Sequence, residues 1–191
     1  MSNLIELETF GTILVARFIS AKDRNALSSS VLSELESLLI TLEADKSIEK
    51  LIFTGQDNIF ASGADLREIS SLAVPAASAF ARRGQAIMDR IAELSAEVIA
   101  AVNGHCYGGA LDLALACDKR ISAPTAAFCH PGAGLGIITG WGGTQRLPRL
   151  VGETNALSMF FTASPIPASE AIRIGLIDLI TENPLAEAFI H

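Results

Sequence analysis

The run Asn103-Gly104-His105-Cys106-Tyr107-Gly108-Gly109-Ala110-Leu111-Asp112-Leu113-Ala114 concentrates the chemistry-bearing features of this chain. An apolar strand, Val98 to Val102, enters it, and a small-residue helix leaves it. A Gly-rich turn in that position aims backbone N–H groups at an anion or at a polarised carbonyl. Asp112 lies three residues past Gly109, on the helix face that looks back at the turn. A fixed donor beside an acid or base is the minimum equipment for chemistry next to a carbonyl. Each part also has a plainer use. A first-turn carboxylate favours the helix dipole, and small residues at Gly63-Ala64 and Gly108-Gly109 allow tight strand–helix packing.

The flanking elements must position that turn. Leu4 to Glu8 and Thr12 to Phe18 alternate around Gly11 as a hairpin, followed by a polar turn over Ala21 to Asn25. Ser28 to Ala44 places Val31, Leu32, Leu35, Leu38, Leu39 and Leu42 on one stripe, with Ser28 as the cap. Ile48 to Thr54 reads as a buried strand. Ala61-Ser62-Gly63-Ala64-Asp65-Leu66 is a second small-residue turn opening a short helix. Pro75 opens an Ala-rich helix to about Leu94, as proline does at a first helical position. Lys119 to Ala123 and Ala126 to Phe128 are short strands. Gly132 to Gly143 holds six glycines, too loose for a regular element, and is a shaped loop. Helices over Thr144 to Val151, Thr154 to Ala163 and Ala168 to Ile174, a strand over Leu176 to Thr181 and a helix from Pro184 complete the chain. Alternating strands and helices make the class α/β with right-handed crossovers, with no internal sequence repeat and no linker. Ligands in such sheets bind where strand C-termini meet helix N-termini. The two small-residue turns are therefore candidate halves of one site.

At 191 residues the chain fits a single domain, 1–191, able to bury a full core. Half of its residues are hydrophobic, which excludes a disordered chain. A net charge of −7 argues against a nucleic-acid surface, although local N–H groups and one or two Arg can still hold a small anion. Cys106, Cys117 and Cys129 have no metal-ligand spacing and suggest no disulfide framework, so a cytoplasmic location is expected. Met1 to Phe10 lacks the pattern of a signal peptide. The apolar run Leu111 to Ala116 is far too short to span a bilayer and holds Asp112. No membrane partner is expected.

Four blocks, in order along nearly the whole chain, resemble the crotonase (enoyl-CoA hydratase/isomerase) superfamily. They are Arg24-Asn25-Ala26-Leu27, then Phe60 to Leu66, then Val102-Asn103-Gly104 through Cys117-Asp118, and Gly140-Trp141-Gly142-Gly143-Thr144-Gln145-Arg146-Leu147. The resemblance implies a crotonase-like (ClpP/crotonase) ββα superhelix whose C-terminal helical segment is short or missing here. It implies an acyl-CoA thioester as ligand, with CoA arriving as part of the substrate and no separate cofactor or metal. It places the N–H groups of Ala64 and Gly109 around the thioester oxygen as an oxyanion hole, and Asp112 as acid/base. The CoA moiety would run past Arg24 and Ala26 and along Ala64, Asp65, Leu66 and Arg67, with Arg67 suited to a CoA phosphate. A homo-oligomer, trimer or hexamer, is implied if the C-terminal segment is present.

Asp112 stands where hydratases of the family carry the first of two catalytic glutamates, and Gly132 stands where they carry the second. Removing a positioned general acid or base typically costs about 10²- to 10⁴-fold. An enoyl-CoA hydratase-like enzyme working through an oxyanion-hole-stabilised enolate is the first expectation. The alternatives are a family isomerase, decarboxylase or thioester hydrolase, or a non-catalytic acyl-CoA-binding subunit. His130, two residues before Gly132, has a pKa range suited to proton transfer, though a turn histidine more often bonds to backbone. Trp141 is read as an acyl-pocket wall in preference to a plug over the core, and Arg82-Arg83 as a solvated helix face.

Overall fold

The computed structural model describes residues 4–191; the first three residues of the Met1–Phe10 stretch lie outside it. β1 (Ile5–Phe10) and β2 (Ile13–Phe18) form the hairpin, Phe10 opposite Ile13. A 3₁₀ turn, Ala21–Asp23, leads to β3 (Ala26–Leu27) and α1 (Ser29–Ala44). Ser28 caps α1 by accepting from the Val31 N–H, and the six apolar residues of the predicted stripe are all buried. There follow β4 (Lys50–Thr54), β5 (Ile59–Ala61), β6 (Gly63–Ala64), α2 (Leu66–Ser71) and α3 (Val74–Ala92). Next come β7 (Glu97–Val102), β8 (His105–Tyr107), α4 (Gly109–Ala116), β9 (Lys119–Ser122) and β10 (Ala127–Cys129). A second 3₁₀ turn, Pro131–Leu135, precedes α5 (Gly143–Val151), α6 (Glu153–Thr162), β11 (Ile166–Pro167), α7 (Ala168–Arg173), β12 (Leu179–Ile180) and α8 (Pro184–Ile190).

Three successive units repeat one plan: a strand in a first sheet, a strand in a second, then a helix. β4, β7 and β9 lie side by side in a six-stranded sheet ordered β1-β2-β4-β7-β9-β12, parallel except for the β1–β2 hairpin. β5, β8 and β10 run parallel in the same sequence in a four-stranded sheet closed by antiparallel β11. The plan repeats without a sequence repeat because the connections differ in length, from two residues between β7 and β8 to the long excursion through α2 and α3. The larger sheet is buried on both faces, as parallel sheets are. Leu51, Phe53, Val98 and Ala100 join the main core with α1, α3 and α4. Val15, Ile52, Ile99 and Ile121 face Ala188 of α8.

Two expectations are corrected. The strand expected over Leu176 to Thr181 pairs only at Leu179–Ile180. Gly175 turns with φ +78°, and the Leu176 N–H bonds back to the Ala171 carbonyl, so the preceding residues close α7 instead. Arg82-Arg83 is more than a solvated face. Arg83 reaches Glu36 through two hydrogen bonds of 2.8 and 2.9 Å and the Ser33 hydroxyl at 2.7 Å, tying α3 to α1. No helix among the described residues is long and apolar enough to cross a membrane.

Candidate active site

The two small-residue turns meet. Gly63 and Ala64 pair in parallel with Ala26 and Leu27, which fixes them against the end of the second sheet. Gly108 has φ +53° and ψ −122°, a conformation that only glycine adopts without strain. Its N–H bonds the Cys129 carbonyl, and α4 begins at the next residue. A methyl group on Gly63 would stand 2.8 Å from the Gly109 nitrogen and 2.5 Å from the Tyr107 carbonyl oxygen. A methyl on Gly109 would stand 3.3 Å from the Ala64 nitrogen. The small residues therefore serve packing and bring two backbone N–H groups together in the same stroke. Gly109 opens α4, so its N–H has no acceptor within the helix.

Asp112 lies one turn into α4 and is 1 % exposed as a side chain. Its Oδ2 accepts hydrogen bonds from the Thr139 hydroxyl and, at 3.2 Å, from the Trp141 N–H. Its Oδ1 has no hydrogen-bond partner among the described residues and faces His130 Nε2 at 3.7 Å. Burial pushes the Asp112 carboxyl up to about 6, against the opposing pull of Thr139 and Trp141. Burial moves His130 the other way, to about 4, so its imidazole is neutral at pH 7. The tautomer protonated on Nε2 suits the bare Oδ1. Gly143 makes this cluster possible. A methyl there would stand 2.2 Å from Asp112 Oδ1, 2.8 Å from Thr139 Cγ2 and 3.0 Å from His130 Cε1.

These groups line a cavity of about 230 Å³ whose other walls are apolar, among them Leu66, Ile69, Phe80, Leu135, Ile137 and Trp141. Asp112 and His130 are the titratable side chains on its lining. Trp141 is both wall and plug. It is 3 % exposed, stacks at a tilt on Phe80, and lies over two glycines. A methyl on Gly84 would come within 2.2 Å of its ring and one on Gly109 within 2.5 Å. Gly132 borders the cavity too, and a methyl there would stand 2.5 Å from the Ile137 carbonyl oxygen. The Ile137 N–H bonds the Gly132 carbonyl, so the loop has closed over the position.

Of the remaining sequence candidates Leu66 lines the cavity, and the others lie beside the Gly63–Ala64 turn. Asp65 caps α2 by accepting from the Arg67 N–H, and its carboxylate also takes the Arg67 guanidinium at 2.7 and 3.0 Å. That guanidinium holds the Asp65 carboxyl below the usual carboxylate range. Asp23 lies 3.6 Å from the same Arg67, whose side chain is 73 % exposed. Leu66 is exposed beside it. Arg24, in the left-handed region at φ +56°, is exposed, and its carbonyl accepts from the Ser62 N–H just before the Gly63 turn. Ala26 pairs with Gly63. Arg24, Ala26, Asp65 and Arg67 are thus linked to the central turn. Thr139 was absent from the sequence candidates. The available signal was that it carries the only side-chain hydroxyl in the Gly132–Gly143 loop.

Comparison with known proteins fits this geometry. The profile of the enoyl-CoA hydratase/isomerase family matches residues 8–188. The chain belongs to that family. The crotonyl-CoA hydratase of Syntrophomonas wolfei is 43% identical over 162 residues, which are 84% of this chain and 62% of that protein. A probable enoyl-CoA hydratase of Bacillus subtilis is 43% identical over 156 residues, 81% of this chain and 60% of that one. The chain thus spans about three fifths of the length of these curated relatives. The crystal structure of an enoyl-CoA hydratase from Bacillus anthracis superposes with a TM-score of 0.92 at 32% identity, covering 98% of this chain and 74% of that one. The Pseudomonas aeruginosa protein DspI gives a TM-score of 0.94 at 31% identity, covering 99% and 78%. The ββα superhelical fold expected from the resemblance is therefore the fold of this chain.

Proposed function

We propose that this chain carries enoyl-CoA hydratase chemistry with Asp112 as its one acid–base carboxylate. The observation that carries this reading is the position of Asp112: buried on the wall of an apolar cavity, one helical turn behind two abutting backbone N–H groups, with its pKa raised to about 6. The N–H groups of Ala64 and Gly109 take the thioester oxygen as it gains negative charge. One such donor is typically worth about 3–4 kcal/mol in the transition state. Ionised Asp112 accepts a proton as the water oxygen bonds to C3, the electron pair of the C2–C3 double bond moves to the thioester oxygen, and the same proton returns to C2. Water and enoyl ester become one 3-hydroxyacyl ester. Neutral His130 faces Asp112 from its far side, its Nε2 3.7 Å from Oδ1. Arg24, Ala26 and the Ala64–Arg67 segment line the approach of the CoA moiety, with Arg67 toward a phosphate.

A second reading, double-bond isomerisation, has its own support. Moving a proton between C2 and C4 also needs a single base, and Asp112 is the one carboxylate on the cavity wall. Mass spectrometry and NMR of crotonyl-CoA and a 3-enoyl-CoA after incubation with the protein, with Asp112→Ala as control, separate the two. Hydration adds one water to crotonyl-CoA and is lost in the variant. A shifted double bond without added mass assigns isomerisation. No change on either ester overturns both.

A further inference from the structure

We propose that the Thr139 hydroxyl is the relay through which Asp112 exchanges its proton with the bound acyl ester. The inference rests on the acid–base role given to Asp112 above. That role meets an obstacle in the structure, because the carboxylate is almost sealed. Its side chain is 1 % exposed, Oδ1 is turned inward to His130, and Oδ2 is covered by the Thr139 hydroxyl and the Trp141 N–H. An amide N–H can orient a carboxylate but does not pass protons. A hydroxyl does both, since it donates one hydrogen bond while accepting others. Thr139 is also only half-buried and lines the same cavity as Ala64 and Gly109. Both residues line the cavity, but Thr139 is the less buried and its Oγ1 covers Oδ2, which places the hydroxyl between Oδ2 and a water or C2 proton in the relay.

The step balances without any further reactant. As water attacks C3, its proton passes to Thr139 Oγ1 while the Thr139 proton passes to Asp112 Oδ2. The reverse double transfer delivers a proton to C2. The fold supports this placement: Gly143 has no Cβ, which would stand 2.8 Å from Thr139 Cγ2, and so leaves room for the Thr139 methyl beside Asp112.

The test compares wild type, Thr139→Val and Thr139→Ser in two assays. One is hydration of crotonyl-CoA. The other is exchange of the C2 protons of butyryl-CoA in D₂O, followed by NMR, which requires enolate formation but no hydration. Thr139→Val is expected to lower kcat and the exchange rate by about 10²-fold or more, with KM changed by less than about twofold. Thr139→Ser restores both. The acidic limb of the pH profile moves upward in Thr139→Val, because the carboxylate has lost a donor, and stays in place in Thr139→Ser. A Thr139→Val protein that exchanges or hydrates at the wild-type rate overturns the relay. Exchange without hydration in wild type, lost in Thr139→Val, sinks the hydratase reading and upholds the relay. A wild-type protein that exchanges no C2 proton overturns the relay as well.

Discussion

Asp112→Asn separates the charge of the buried carboxylate from its shape. Burial raises its pKa from 3.8 to about 6 in the folded chain. A difference of about two pH units between folded and unfolded ionisation is worth about 3 kcal/mol. The sign follows from the direction. A folded pKa above the unfolded one means that the fold prefers the protonated carboxyl. The favourable contribution is complete below the unfolded value and is lost as the pH rises through about 6. Asparagine keeps the shape. Its carbonyl oxygen can accept from Thr139 and the Trp141 N–H, and its amide takes the place of Oδ1, 3.7 Å from His130 Nε2. His130 titrates in both proteins and drops out of the difference. The two proteins should be nearly equal in stability at pH 4. By pH 7 to 8 the variant should be more stable by about 3 kcal/mol, or about 6–12 °C in Tm for a chain of this size. Its turnover should fall by about 10²- to 10⁴-fold. Urea unfolding followed by circular dichroism at five pH values between 4 and 8 measures the difference directly. A gap that is flat with pH, or a variant less stable than wild type at pH 8, would refute the claim that an ionised, desolvated carboxylate sits at this position.

Two further substitutions probe the rim and the closed loop. Gly132→Glu is expected to lower stability by about 1–3 kcal/mol, as overpacking does, and to leave activity no higher, because its Cβ meets the Ile137 carbonyl at 2.5 Å; a gain in kcat would show that the loop yields. Arg67→Ala should leave the fold intact, since the Arg67 side chain is 73 % exposed and Asp65 still caps α2 through the backbone N–H of residue 67. It should raise KM for crotonyl-CoA roughly fivefold, the equivalent of about 1 kcal/mol for a charge-assisted bond shared with Asp65. KM for the crotonyl thioester of N-acetylcysteamine should stay unchanged, and an equal rise for both esters would remove Arg67 from the phosphate.

The longer elements were legible because their signals are local. The α1 stripe repeats over sixteen residues with its cap in place, and the apolar block before Gly104 is long enough to name a strand. β8 was not legible. Three residues, His105–Tyr107, cannot show a period of two, and they lie inside a stretch dominated by glycine. β3, β6 and β11 span two residues each and exist only through their partners. The site divides in the same way. Asp112 and its turn lie within four residues of each other, so their relation is written in helical spacing. The approach of Gly63 to Gly109 crosses 46 positions but was expected, because both turns follow strands at one edge of an α/β sheet; the approaches of His130 and of Thr139 to Asp112 cross 18 and 27 positions, and no local pattern encodes them.

Gly132 shows most clearly what sequence position alone leaves open. Set beside the family pattern it reads as the loss of the second glutamate, with His130 two residues away as a group suited to proton transfer. In the structure its carbonyl is bonded by the Ile137 N–H, and the loop beyond it brings Thr139 and the Trp141 N–H onto Asp112. The space a longer side chain would need is filled by that loop, and the same loop carries the hydroxyl that covers Asp112 Oδ2. Gly143 ties the parts together, because any side chain there would displace Asp112, Thr139 and His130 at once. The glycines at 132 and 143, the threonine at 139 and the shortened acid at 112 therefore act as one arrangement. A glutamate at position 132 alone is therefore expected to disrupt that arrangement, which the Gly132→Glu measurement checks.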